Sequence, residues 1–331
     1  MSRFFILLVI ILFALTAALI FGLYMALRPI VRRRGHKLSY KPFGLATLLL
    51  IAVGTAMIIY GNRVGQWQLQ TKRYTLIFNN LPEGFEDYRI VHISDLHVGS
   101  FADCPERLQT IVNRINRLQP DLICFTGDLI NLSPDEIIPA LPVLKGLHAH
   151  DGIVSILGNH DFTPYNSTPE QQETNLKRIV TIQRDSLHWH LLNNQNFKIR
   201  RCKDSIFVIG VMNQSYDKLL VRRAFPIQKA DLKKAMRQTD GFRILLTHDP
   251  THWRREVADT LPIPLTLSGH THGAQLRLFG WTPAAWFFDD VSGLVKNRNR
   301  CLYINTGLGG TAPCRIGVPQ EITLIKLKKV Q

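Results

Sequence analysis

The sequence predicts an α/β domain built on two facing sheets and preceded by a helical hairpin in a membrane. Three observations lead there. A long uncharged apolar run opens the chain, short runs apolar on both faces alternate with helical ones after residue 73, and those runs are too numerous for one sheet.

The chain has 331 residues, enough for a sizeable core, and a formal net charge of +15. Its distribution matters more than its size. Residues 1–82 hold ten Lys and Arg and no acid, Glu83 being the first, so the remainder carries only +5 (15 − 10). The basicity therefore belongs to the N-terminal segment, and no nucleic-acid partner is expected, because that would need a basic stripe on the folded domain.

Residues 4–27, FFILLVIILFALTAALIFGLYMAL, exceed the roughly 20 apolar residues that cross a bilayer. A secretory signal has a shorter apolar core and a small-residue cleavage site, and no such site precedes Arg28. A second run, 43–60, is close to the minimum that spans. Between them RPIVRRRGHKLSYK carries six Lys and Arg, so the positive-inside rule places this loop in the cytoplasm. With both runs spanning, everything after Tyr60 lies on the other side. Were the second run to lie along the interface, the domain would be cytoplasmic. The expected organisation is an anchor over 1–61, a polar linker over 62–73 and a catalytic domain over 74–331. The five cysteines show no CxxC spacing and indicate neither a zinc knuckle nor a disulfide framework, though a Cys301–Cys314 bridge is conceivable in an oxidising compartment.

Seven runs read as strands: RIVHIS, DLICFTG, GIVSILG, SIFVIGV, FRILLTH, PLTLSG and CLYINTG. Continuous hydrophobicity is what a sheet covered on both faces requires. Between the first two, PERLQTIVNRINRL sets Leu108, Ile111, Val112, Ile115 and Leu118 on one helical face, with Pro105 in the first turn, where its missing N–H costs nothing.

Polar groups able to bind metal close these strands: Asp95 and His97 the first, Asp128 the second, Asn159, His160 and Asp161 the third, His248 and Asp249 the fifth, His270 and His272 the sixth. One Asp or His at a strand end is ordinarily a cap or a loop residue. Five such ends in register point to one place, because ligands of open α/β sheets bind beyond the carboxyl ends of strands. Asp95, His97, Asp128, Asn159, His248, His270 and His272 pool oxygen and nitrogen donors too numerous for one ion that keeps an open position. Two ions sharing one carboxylate would use them all. Imidazole favours Mn, Fe, Zn or Co over Mg or Ca.

The motifs DLH (95–97), GDLIN (127–131), GNHD (158–161), THD (247–249) and GHTHGAQ (269–275) resemble, in order and spacing, those of the calcineurin-like metallophosphoesterases. The likeness covers about 88–328 and is nearest to a membrane-tethered bacterial branch, in which an N-x-G-L-G run, here 305–309, precedes a closing strand such as EITLIKL. It implies a four-layer α/β/β/α sandwich holding two divalent transition metal ions. Asp95, His97 and His272 would hold one ion, Asn159, His248 and His270 the other, and Asp128 would bridge them. The metal pair, roughly 3.5–4 Å apart, would hold a hydroxide that attacks phosphorus. His160 would protonate the leaving group and Asp161 would orient it. Asn131 stands where the branch usually has Asp, a change expected to alter hydrogen bonding rather than metal number.

The expected activity is hydrolysis of a phosphoester, a phosphodiester or pyrophosphate bond, in a lipid-linked or cell-envelope substrate. That branch includes envelope phosphodiesterases and hydrolases of a UDP-diacylglucosamine lipid A precursor. The alternative is a noncatalytic scaffold or sensor on the same fold, which would have lost ligands or the acid, whereas here every position is filled. After the last histidine motif, LRLFGWTPAAWFFDD crowds Phe279, Trp281, Trp286, Phe287 and Phe288 into ten residues. The plainer expectation is core packing of a loop, and the sharper one an apolar lip that meets the membrane interface or acyl chains.

Overall fold

A computed structural model describes residues 3–165, 167–216 and 230–330. The chain divides into two compact units, Met1–Gln66 with Ala312–Ile316, and Trp67–Thr311 with Gly317–Gln331.

In the first unit α1 (Arg3–Arg33) and α2 (Lys41–Arg63) are both long and apolar enough to cross a membrane. Their apolar side chains stay exposed, Leu19 by 74% and Leu45 by 69%, which suits a lipid solvent rather than water. Helix α1 outruns its apolar stretch through Pro29. It stops at Gly35, whose φ of +80° permits a left-handed close in which His36 N donates to Val31 O and Gly35 N to Arg32 O. Residues 312–316 pack on the end of α2, with Asn62 Nδ2 donating to Pro313 O (2.6 Å) and Arg315 N to Gly61 O (3.1 Å).

The second unit carries β1 (Leu69–Phe78), β2 (Arg89–Ile93), β3 (Leu122–Phe125), β4 (Ile153–Ser155), β5 (His190–Leu191) and β6 (Gln195–Arg201). It continues with β7 (Asp204–Gly210), β8 (Phe242–Leu246), β9 (Leu265–Ser268), β10 (Gly293–Asn297), β11 (Arg300–Ile304) and β12 (Gln320–Lys329). They form two six-stranded sheets ordered β1-β12-β2-β3-β4-β5 and β10-β11-β9-β8-β7-β6. The seven runs expected as strands are β2, β3, β4, β7, β8, β9 and β11, and the closing strand is β12.

Three apolar cores separate four layers. Along β3, Leu122 and Cys124 face the second sheet, while Ile123 and Phe125 face helices α3 (Pro105–Arg117), α4 (Ile137–Leu144) and α5 (Pro169–Thr181). Along β8, Ile244 and Leu246 face the first sheet, and Leu245 turns to Trp253, Val257 and Ile263 on the far side. Every strand residue thus has an apolar neighbour whichever way it points, which is why these strands show no alternation.

Two expectations change. Strand β1 begins at Leu69, inside the stretch expected to be linker, and pairs in parallel with β12. It is an edge strand with alternating exposure, so its polar residues mimic a linker. All five cysteines are free thiols, and the Cys301–Cys314 bridge is not formed.

Candidate metal centre

Strands β2, β3 and β4 run parallel in one sheet, and β8, β9 and β11 in the other. Their carboxyl ends release Asp95 and His97, Asp128, Asn159 to Asp161, His248 and Asp249, and His270 to His272 at one shared edge. The loops interlock there: Asp95 N donates to Gly127 O (2.9 Å), His97 N to Asp128 O (3.0 Å) and Gly269 N to His248 O (3.0 Å). His270 N joins the two sheets by donating to the Asp95 carboxylate (3.1 Å).

The backbone is forced into place. Asp95, His97, Asp128, His270 and His272 all hold a positive φ, between 41° and 72°, a region costly for any residue with a Cβ. Strain of this kind survives only where surrounding contacts overdetermine it. Glycines make room for it. A Cβ on Gly269 would lie 1.9 Å from Ser94 Oγ and 2.2 Å from Asp95 Oδ2, and one on Gly158 would lie 2.2 Å from Asp128 Oδ1.

Within this frame the structure brings together all seven expected donors. Asp95, His97, Asp128 and His272 form one buried group able to bind a metal ion, and Asp128, His248 and His270 another, so Asp128 belongs to both. Asp128 Oδ2 lies 3.6 Å from His97 Nε2 and 3.2 Å from His248 Nε2. His272 Nε2 is 3.2 Å from His97 Nε2 and 3.4 Å from Asp95 Oδ1. His270 Nδ1 is 3.2 Å from His248 Nε2, and Asn159 Oδ1 is 3.1 Å from the same nitrogen. His270 and His272, one residue apart, thus serve different groups, each held in a left-handed backbone conformation.

These donors fit cations. His97 Nδ1 donates to Ile130 O (2.9 Å) and His248 Nδ1 to Thr126 O (2.7 Å), which leaves each neutral ring's Nε2 lone pair aimed at Asp128. Lone pairs and a carboxylate converging this closely repel unless positive charge sits among them. The protonation equilibria say the same. Burial pushes the Asp95 carboxyl up to about 6 and the His97 imidazole down to about 3. Burial opposes a charged His248, yet the neighbouring Asp128 outweighs it and lifts that imidazole well above its usual value. His248 and His160 in turn overcome burial and hold Asp128 well below the carboxylate range. Without a cation the cluster would hold a proton in its place.

Asp161 departs from expectation. Its carboxylate accepts from the backbone N–H of Leu129 (2.8 Å), Gly158 (2.9 Å) and Asp128 (3.0 Å), so it fixes the Asp128 turn rather than the His160 ring. His160 is oriented by Asn131, whose backbone O accepts from its Nδ1 at 2.7 Å, while the Asn131 side chain donates to Gly310 O. Asp161→Ala would leave the buried N–H groups of Leu129, Gly158 and Asp128, and that of Ile130 at 3.4 Å, without this acceptor. We expect chemical denaturation to show a loss on the order of 3 kcal/mol, with metal content falling too; unchanged stability would remove this role.

Other neighbours carried weaker signals in the sequence. Asp249 Oδ2 lies 3.4 Å from His270 Nε2, and its place in the THD motif was the available clue. The Tyr165 ring packs 4.7 Å from His160, and its hydroxyl accepts from Asn159 Nδ2 at 3.3 Å; nothing in the local sequence marks it.

Comparison with known proteins agrees with this geometry. Residues 88–274 match the calcineurin-like phosphoesterase family. The chain is 28% identical over 276 residues to the uncharacterized metallophosphoesterase YkuE of Bacillus subtilis, covering 81% of this chain and 89% of that one. It is 26% identical to the UDP-2,3-diacylglucosamine pyrophosphatase LpxG of Chlamydia muridarum, over 85% of this chain and 97% of that one. A transmembrane protein with metallophosphoesterase domain from Danio rerio is 28% identical over 86% of this chain, which spans 63% of that protein's length. Two sheets with an Asp and His cluster at their common edge and a family match over more than half its length make this chain a member of the calcineurin-like phosphoesterases, metal-dependent hydrolases of phosphoric esters.

Proposed function

We propose that the chain is a membrane-anchored phosphoesterase with two metal ions that hydrolyses a phosphodiester or pyrophosphate bond in a lipid-linked or envelope substrate. The observation that carries this reading is Asp128, shared between two groups of buried donors at one edge of both sheets. Asp95, His97 and His272 would hold one ion and Asn159, His248 and His270 the other, with Asp128 touching both. Divalent transition metals so held, Mn, Fe or Zn, supply a nucleophilic water at neutral pH and neutralise charge on the phosphoryl oxygens.

The chain's own part is positional. Carbonyls of Ile130 and Thr126 fix the tautomers of His97 and His248, and the Asp161 carboxylate fixes the turn that presents Asp128. His160, held through Nδ1 by the Asn131 carbonyl, keeps Nε2 for the proton that the leaving oxygen takes. A lipid-linked substrate is supported by the two apolar helices and by relatives named as UDP-2,3-diacylglucosamine pyrophosphatases. The basic loop between the helices favours a domain outside the cytoplasm.

The test is hydrolysis of bis(p-nitrophenyl) phosphate by the purified full-length chain. We expect activity with Mn²⁺, its loss on chelation and recovery on adding metal back. Activity indifferent to chelators in protein free of transition metal would refute the reading.

A further inference from the structure

The aromatic run after the histidine turn is not core packing. Phe279 is fully exposed, Trp286 is 71% exposed, and Trp281 and Phe287 are each 46% exposed. A water-soluble face rarely leaves four large aromatics out within nine residues, and such clusters mark surfaces that meet something apolar.

This exposure is built in. Leu278 and Trp281 exchange both backbone hydrogen bonds at 2.9 Å, turning the chain at Phe279 and Gly280 so that Phe279 stands at the tip. Trp281 and Trp286 pack edge to face with centroids 5.1 Å apart, and Ala284 between them is buried as the plug that seats the loop. Thr282 Oγ1 donates to Gly273 O (2.7 Å) and Thr271 Oγ1 to Val291 O (2.6 Å), which fastens both ends of the segment to the turn bearing His270 and His272. Phe288 continues the aromatic surface to the metal centre, its ring edge-on to His270 at 5.6 Å. The apolar face and the candidate metal site are therefore fastened to the same turn.

We propose that residues 279–288 are a membrane-contact element, inserting Phe279, Trp281, Trp286 and Phe287 into the lipid–water interface so that a phosphoester at headgroup level meets the metal centre. This rests on the reading of the chain as a membrane-anchored phosphoesterase. The bilayer is the occupant to which this chain commits itself, since it carries two helices able to span one and the domain is tethered to them. Indole rings prefer the headgroup level, where their apolar body and N–H are both satisfied. Asp289 and Asp290 offset Arg254 and Arg255 beside the loop, so aromatic insertion rather than attraction to anionic lipid drives the contact.

The experiment uses the full-length chain in phosphatidylcholine nanodiscs with brominated acyl chains, which quench tryptophan emission on contact. Of the five tryptophans, Trp189 and Trp253 are buried. Changing both Trp281 and Trp286 to Phe, which keeps ring packing, is expected to cut the quenched emission about two-fold or more. In parallel, Phe279→Asp, at a side chain that touches little, should lower kcat/KM on phosphatidyl-p-nitrophenol in the same nanodiscs by about ten-fold and leave soluble bis(p-nitrophenyl) phosphate unchanged. Unaltered quenching in the double variant, or equal loss on both substrates, overturns the proposal. Should the wild-type chain hydrolyse neither substrate, the phosphoesterase reading fails, and the quenching comparison still decides the membrane contact.

Discussion

Replacing Asp128 with Ala is expected to reduce phosphodiester hydrolysis by about 10³-fold or more and, on the proposed reading of two ions per chain, to drop bound transition metal to one or none. The reason lies in its position. Asp128 is the one side chain common to both donor groups, and its Oδ2 lies within 3.6 Å of imidazole nitrogens from both sheets. Its removal takes a negative charge from each group and leaves the lone pairs of His97 and His248 facing an enlarged void. It also releases Oδ1 from the N–H of His160, loosening the proposed acid as well. Elemental analysis alongside a Mn²⁺-dependent assay reads both effects. Wild-type activity in the variant would sink the assignment of a shared site.

Replacing His160 with Gln is expected to act differently. Metal content should hold, because His160 belongs to neither donor group. Rates on substrates with alkoxide leaving groups should fall by about 10²–10⁴, the usual worth of a positioned general acid. Esters of p-nitrophenol should lose far less, since that anion departs without a proton. Gln preserves much of the volume beside Tyr165 and His97, so a folding defect would not imitate this pattern. A uniform fall across leaving groups would make His160 a packing or positioning residue instead.

How far the sequence could be read depended on how local each cause was. Strands β2, β3, β8 and β9 were legible because burial on both faces writes itself as an unbroken apolar run. The polar residues ending those runs were legible as a set, since parallel strands deliver their carboxyl ends to one edge. β1 was hidden because an edge strand with an exposed side has the composition of a linker. Asp161 was misread for another reason: the family resemblance gave it the task of orienting His160, yet its carboxylate turns to amides 31–33 residues away in the Asp128 turn. The aromatic run after Leu278 stayed open between core packing and an apolar lip because hydrophobicity states only that a side chain avoids water. Whether protein or lipid provides the shelter is a matter of what stands opposite it.

The sequence by itself determined the chemistry on offer: two spanning-length helices, strands sheltered on both faces, and seven oxygen and nitrogen donors placed where strands end. Only the tertiary structure decided how that chemistry is arranged. It made Asp128 common to both groups, sent His270 and His272 apart, gave Asp161 to the backbone and turned the tryptophans outward. The physical reason is that residue type and periodicity act over a few neighbours, whereas these outcomes depend on contacts between segments far apart in the chain. Such contacts hold five donor residues in a left-handed conformation that none of them would adopt readily alone.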